Sequence, residues 1–191
     1  MNSQASAPPI VLVHGLWLTP RSWEGWRERF ESRGHRVRPP AELRSGFPVL
    51  KNPANRNRTV ELTPKQFHYG FTNTMAGDEA KAAYDRYQVP GPGRVIFQAA
   101  LANLNPRAVT KVDFHKDDRP PLLTIGNDKD HSKEAAQRLG ESKAAVDYKE
   151  FAGRPHFTAG ASGWEEVADY ALDCANRHTG APAGKKAPAT A

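Results

Sequence analysis

The stretch PIVLVHGLW, residues 9–17, contains four consecutive apolar residues followed by a His-Gly pair. A short, continuous apolar run rich in β-branched residues predicts a strand buried on both faces, as in a parallel sheet. Thr19 and Pro20 then provide a helix N-cap and a first-turn proline, and the aromatic residues that follow at helical spacing predict a helix ending at Gly34. The chain therefore opens as strand, loop and helix, the repeating unit of α/β folds.

The remainder predicts a second strand at 35–38, a helical and irregular middle, and a closing β-α-β-α segment. In that segment we expect strands at 122–125 and 145–151 and helices at 132–139 and 164–177. We divide the chain into a disordered N-terminus (1–7), an N-terminal βα core unit (8–40), a helical cap-like segment (41–106), a C-terminal β-α-β-α core (107–176) and a disordered tail (177–191).

Composition limits the classes of protein that fit. With 191 residues, 38% hydrophobic and 25% charged, the chain suits one domain with an adequate core. The single cysteine, Cys174, excludes an internal disulfide and is predicted to pack in the core. Residues 1–8 lack the basic and apolar regions of a signal peptide, and no apolar run reaches the roughly 18 residues that span a bilayer. We expect a cytoplasmic protein without membrane partners.

Two polar residues are predicted to meet at one edge of the sheet. Asp130 follows the strand at 122–125, and His156 follows the next strand along the chain. The carboxyl ends of parallel strands share one edge, where such sheets hold their sites, so the pair could act as acid and base. Asp128 is a competing candidate for the acid. A charged turn would account for Asp128 and Asp130 without a catalytic role, and a solvated turn would account for His131 in the same way.

Three stretches together resemble the α/β-hydrolases of the lipase and esterase-like type. They are VLVHGLW at 11–17, GNDKDH at 126–131, and GRPHF at 153–157 ahead of a helix that begins WEEV. The resemblance covers about residues 8–176 and keeps the family's order, with the acid before the histidine. It implies a truncated α/β-hydrolase-like fold: a short, mostly parallel sheet with flanking helices and a helical cap segment.

The resemblance also implies an activity, the hydrolysis of ester or amide bonds in small molecules. His156 and Asp130 would be the catalytic base and acid. His14, Gly15, Leu16 and Trp17 would form the oxyanion hole and pocket, with the Leu16 amide as a donor and Trp17 as a wall.

The family's nucleophile motif G-x-S-x-G is missing from the chain. The opening βα unit passes directly into cap-like sequence, so the region of the nucleophile elbow is absent and the nucleophile stays unknown. Four candidates lie outside any strand-to-helix elbow: Ser22, Ser45, Ser162 and Cys174.

Two other functions stay open. A catalytically silent relative would bind a small ligand or another protein, and a shortened sheet with an exposed edge predicts self-association into a homo-oligomer. The arginine-rich stretch 27–38 and the formal charge of +6 allow a nucleic-acid-interacting module, although an amphipathic helix with a wet arginine face explains the stretch better. We expect no cofactor and no metal site, because the sequence has neither paired histidines at helical spacing nor cysteine clusters.

Overall fold

The computed structural model describes residues 9–13, 15, 17–38, 52–101, 113–127 and 132–180. Within these residues six short strands and six α-helices give a small mixed α/β architecture. The elements are β1 (Ile10–Val11), α1 (Glu24–Ser32), β2 (Val37–Arg38), β3 (Thr59–Val60), α2 (Pro64–Gly70), α3 (Gly77–Tyr87), β4 (Gly91–Pro92), α4 (Gly93–Ala100), β5 (Leu122–Gly126), α5 (Ser132–Leu139), β6 (Val146–Glu150) and α6 (Trp164–Thr179). Two 3₁₀ turns, Pro20–Trp23 and Pro53–Asn57, complete the list.

The strands form three two-stranded sheets. β1 pairs with β2 and β5 pairs with β6, both in parallel and each across an intervening helix, whereas β3 and β4 form an antiparallel pair. The parallel pairs confirm the predicted α/β class. The expected short, mostly parallel sheet is not what the described residues form, because the two parallel pairs belong to separate sheets. The predicted strands and helices of both ends are present, and α5 has the predicted bounds, 132–139.

The prediction that the first strand is buried on both faces is wrong. Ile10 and Leu12 pack into the core, whereas the side chains of Val11 and Val13 are each 56% exposed. Side chains alternate between the two faces of a strand, and here only the face with Ile10 and Leu12 is packed. The strand is therefore covered on one face among the described residues.

Two clusters of buried side chains organise the packing. The body cluster lies where α1 and α6 meet and contains Trp26, Phe30, Phe151, Val167, Ala168 and Leu172. The cap cluster joins α2 and α3 to the loop after β1 and contains Trp17, Leu18, Leu62, Phe67, Ala83 and Phe157. The structure thus has a body built on the parallel strands and a helical cap packed beside it.

Helix α1 has the amphipathic character predicted for the arginine-rich stretch. Trp26 and Phe30 are buried in the body cluster. Beside this cluster, Arg29 and Arg33 both donate hydrogen bonds to the Asp169 carboxylate of α6. Two of the arginines in this stretch therefore stabilise helix packing.

The first α-helix described in the cap, α2, has an N-terminus capped by side-chain hydrogen bonds. The Thr63 hydroxyl accepts a hydrogen bond from the Gln66 amide, while the Gln66 side chain accepts one from the Thr63 amide. This reciprocal arrangement is a capping box, and Pro64 occupies the first helical position. Local sequence therefore fixes the start of α2.

The chain ends of the predicted organisation are only partly described. Helix α6 continues to Thr179, so the first three residues of the predicted tail, 177–179, are helical. Residues 1–8 and 181–191 and the boundary between cap and C-terminal core at 102–112 lie outside the described residues. No helix among those described is both long and apolar enough to cross a membrane.

A close contact between α1 and α6 leads to the first prediction. Gly25 of α1 lies against the Trp164 indole, and a Cβ on Gly25 would come within 2.5 Å of that ring. Gly25→Ala should therefore destabilise the fold by about 1–3 kcal/mol, although alanine favours a helix. The control Gly77→Ala, where a Cβ meets nothing within 4 Å, should stabilise by about 0.4–1 kcal/mol. Urea unfolding measures the free energy change of both variants. Equal changes would contradict the prediction, because α1 and α6 would then move apart at little cost to accommodate the added methyl group.

Candidate functional site

A cleft of about 250 Å³ lies between the N-terminal end of α1, the end of β5 and the turn that precedes α6. Its apolar wall is formed by Trp23, Trp26, Phe71, Ile125, Phe157 and Val167. Its polar groups come from Ser22, Asn127, His156 and Thr158. A mostly apolar lining with a few polar groups is typical of a small-molecule site.

Loops that follow strands supply much of this lining. Gly15 follows β1, Asn127 follows β5 directly, and His156 lies in the turn after β6. The carboxyl ends of parallel strands are where open α/β sheets place their ligands. The cleft therefore lies beside the carboxyl ends of strands from both parallel pairs, which are separate two-stranded sheets.

His156 is the most accessible of the polar groups in the cleft. Its side chain is exposed, and its ring packs edge-on against Phe71 with the ring centroids 5.7 Å apart. The next residue, Phe157, is buried and donates its backbone N–H to the Phe71 carbonyl at 2.7 Å. The cap thus holds the histidine turn in place.

A second concavity of about 300 Å³ adjoins the cleft. It is lined by Tyr69, Gly70, Asn73, Asn127 and His156. Asn127 and His156 belong to both hollows, so these two side chains stand between them.

The structure brings together two of the predicted site residues, Gly15 and His156, which both line the cleft. Trp17 is buried in the cap cluster, and its indole packs edge-on against Phe71 with the ring centroids 6.4 Å apart. The predicted residues His14, Leu16 and Asp130 lie outside the described residues, as do the alternatives Asp128 and His131.

Trp17 has a backbone conformation that few large residues adopt. Its φ is 58°, in the left-handed region. Its indole N–H donates to the Val60 carbonyl at 2.9 Å, and its own carbonyl accepts from the Val89 amide at 3.0 Å. The bonds to the cap thus hold a conformation that costs about 1–3 kcal/mol.

One of the candidate nucleophiles lines the cleft. Ser22 lies in the 3₁₀ turn before α1, is buried, and donates its hydroxyl to the Thr19 carbonyl at 2.8 Å. A serine bonded to its own turn lacks the strand-to-helix elbow that activates a nucleophile. Ser162 is exposed in the turn before α6, and Ser45 lies outside the described residues.

Sequence reasoning missed most of the apolar wall. Trp23 is one of the aromatic residues whose helical spacing predicts α1, and Phe71 lies in the cap far along the chain from His156. Asn127 had a usable signal, since it directly follows a predicted strand at the edge where parallel sheets bind ligands. The aromatic wall has no such signal, because Phe71 joins Trp23 and Trp26 only when the cap packs on the body.

Three residues with metal-ligating side chains meet at the other end of β6. The Asp147 carboxylate accepts a hydrogen bond from the Cys174 thiol at 3.2 Å and lies 2.7 Å from His178 Nε2. The hydrogen bond with His178, followed by that with Cys174, lowers the pKa of Asp147. Burial raises the pKa of the Cys174 thiol, and so does the neighbouring carboxylate. Cys174 is buried, as its sequence position predicted.

Comparison with known proteins gave no relative. No protein-family model, no curated protein and no solved structure matches the chain.

Proposed function

We propose that this chain is an α/β-hydrolase-like protein that binds a small molecule with an apolar ring in the His156 cleft. The observation that carries the proposal is the cleft itself, with aromatic walls and His156 at its mouth. A cavity of roughly 150 Å³ accepts benzene, so one of about 250 Å³ suits a ring with a short polar substituent. Asn127 and Thr158 offer further polar contacts to that substituent.

The hydrolase-like part of the proposal rests on order and position. Gly15 and His156 come from the first and last motifs of the resemblance, far apart along the chain, and both line one cleft. Binding ranks above hydrolysis because the family's nucleophile motif is missing from the sequence, and loss of a triad serine removes most of the rate.

A titration with benzyl alcohol, which has one ring and one hydroxyl, tests binding. Trp23 and Trp26 line the cleft, so the probe should quench tryptophan fluorescence to saturation. His156→Ala should weaken affinity by about 2–10-fold, because one hydrogen-bonding partner is lost. Ala159→Phe should remove binding, since Ala159 lines the cleft and a larger side chain fills it.

The matched control is His115→Ala, because the His115 side chain is 73% exposed and pairs with Glu141 away from the cleft. This variant should bind like the unmodified protein. Equal binding to the Ala159→Phe variant, or quenching that never saturates, would rule the cleft out as the binding site.

Ester hydrolysis is the second candidate, favoured by the exposure of His156 to both hollows, where it could act as a general base toward water. Phenyl acetate turnover and intact-mass analysis after fluorophosphonate treatment distinguish hydrolysis through a nucleophile, hydrolysis through activated water, and binding without hydrolysis. An adduct lost in His156→Ala reveals a working nucleophile, and His156-dependent turnover without an adduct indicates activation of water. If neither an adduct nor His156-dependent turnover is observed, the cleft binds a ligand without hydrolysing it.

A further inference from the structure

The cluster of Asp147, Cys174 and His178 lies away from the cleft. Asp147 is the second residue of β6 and pairs with Leu123 near the start of β5, whereas the cleft lies beyond the end of β5. The three side chains each offer one ligand atom, and these atoms lie within 4.8 Å of one another. None of the three takes part in the binding proposed for the cleft.

We propose that Asp147, Cys174 and His178 form a binding site for a Zn²⁺ ion. Thiolate, imidazole and carboxylate are the three ligand types that proteins use for zinc, and three protein ligands leave a fourth position for water. Their charges also match: a thiolate and a carboxylate together neutralise a divalent cation, while a neutral imidazole adds none.

The backbone places the ligands before any metal arrives. Cys174 and His178 are four residues apart on α6 and so share one face of the helix. Asp147 comes from β6, and its carboxylate already contacts both partners. Tetrahedral zinc with bonds of about 2.0–2.3 Å separates its ligand atoms by about 3.3–3.6 Å. The present separations therefore need adjustments of only about 1 Å.

Protons must leave the cluster when zinc binds. The Cys174 thiol donates to Asp147, so formation of the Zn–S bond breaks the S–H bond and releases that proton to solvent. Coordination by His178 Nε2 requires the proton of the neutral ring to lie on Nδ1. The Asp147 oxygen then exchanges its hydrogen bonds for a bond to the metal.

One neighbouring charge acts against a cation. Arg177 lies close enough to lower the pKa of Asp147 and also lowers that of Cys174. A guanidinium repels Zn²⁺ but favours the thiolate that zinc requires. The thiolate and carboxylate carry two negative charges against this single positive one, and with Zn²⁺ bound the cluster and Arg177 together have a net charge of +1.

Metal titration of the full-length protein tests the site. Co²⁺ binding should release a proton and give the near-ultraviolet charge-transfer band of a thiolate ligand, and Zn²⁺ should then displace Co²⁺ and remove the band. Loss of even an outer-shell partner weakens metal affinity by about 10–100-fold, so Cys174→Ser and His178→Gln should each weaken Zn²⁺ binding at least as much. His178 is exposed at the end of α6, so its variant should fold even if the buried Cys174 variant does not.

The matched control is His115→Gln, which removes another exposed imidazole and should leave Zn²⁺ affinity unchanged. Absence of the charge-transfer band, or the same Zn²⁺ affinity in His178→Gln as in the unmodified protein, would overturn the proposal. Neither result depends on benzyl alcohol binding, so the zinc site and the proposed function stand or fall separately.

Discussion

Phe67→Ala is expected to lower the free energy of unfolding by about 3–5 kcal/mol, which is a large share of the total free energy of unfolding of a domain of this size. Phe67 has no exposed surface and lies at the centre of the cap cluster. It stacks on Phe71 with ring centroids 4.9 Å apart and meets Tyr84 edge-on at 5.5 Å. Alanine would remove the ring contacts and leave a cavity.

Tyr69→Ala is the matched control because it removes an aromatic side chain from the same helix. Tyr69 is 86% exposed, so its loss should change stability by no more than about 0.5 kcal/mol. Urea unfolding of both variants decides the matter. A small effect of Phe67→Ala would mean that the cap contributes little to the stability of the whole.

Asp169→Asn should destabilise the protein by about 2–3 kcal/mol. The carboxylate receives hydrogen bonds from Arg29 and from Arg33, whose side chain is only 6% exposed. Neutralising it leaves a nearly buried guanidinium without its counter-charge, which in a fully buried pair costs about 3–5 kcal/mol. Partial exposure of Asp169 and Arg29 lowers that figure through solvent screening.

The same contact predicts a pH dependence. The hydrogen bond from Arg29, followed by that from Arg33, lowers the pKa of Asp169 in the folded state. The unfolded chain binds a proton at about pH 3.9, so the contribution is fully present above that pH and is lost as the pH falls through the lower folded value. Stability measured from pH 7 down to pH 3 should therefore fall less steeply in Asp169→Asn than in the unmodified protein.

Asp85→Asn provides the control for both measurements. Asp85 pairs with Lys81 on the surface of α3, where the side chains are 55% and 70% exposed. An exposed pair of this kind contributes only about 0.2–1 kcal/mol. Equal stability of Asp169→Asn and Asp85→Asn would contradict the prediction, because the contact between α1 and α6 would then contribute no more than an exposed ion pair.

Local signals allowed prediction of most elements but not of their burial. Helix α5 is predicted with its bounds because a glycine directly after Leu139 ends a clear pattern. The continuous apolar run of the first strand predicts burial on both faces, but it carries no information on which elements will cover each face. The exposed Val11 and Val13 show that coverage depends on helices elsewhere in the chain.

The sites show the same division. Gly15 and His156 were each expected after a strand end and both line the cleft, but they follow strands of two different two-stranded sheets, so tertiary packing and not a shared sheet edge brings them together. For the metal-ligating cluster, the spacing of Cys174 and His178 was visible in the sequence. Asp147 was not, because the register of β6 against α6 decides which side chain of the strand faces the helix.

The left-handed Trp17 accepts one of three backbone hydrogen bonds that hold the cap against the rest of the structure. The Thr19 amide donates to the Tyr87 carbonyl at 3.1 Å and the Val89 amide to the Trp17 carbonyl at 3.0 Å, while the Phe157 amide donates to Phe71. All three bonds join cap to body, so one local unfolding event breaks them together. We therefore expect these amides, distant in sequence, to share one free energy of opening in hydrogen exchange, and that value reports how often Phe71 leaves the cleft.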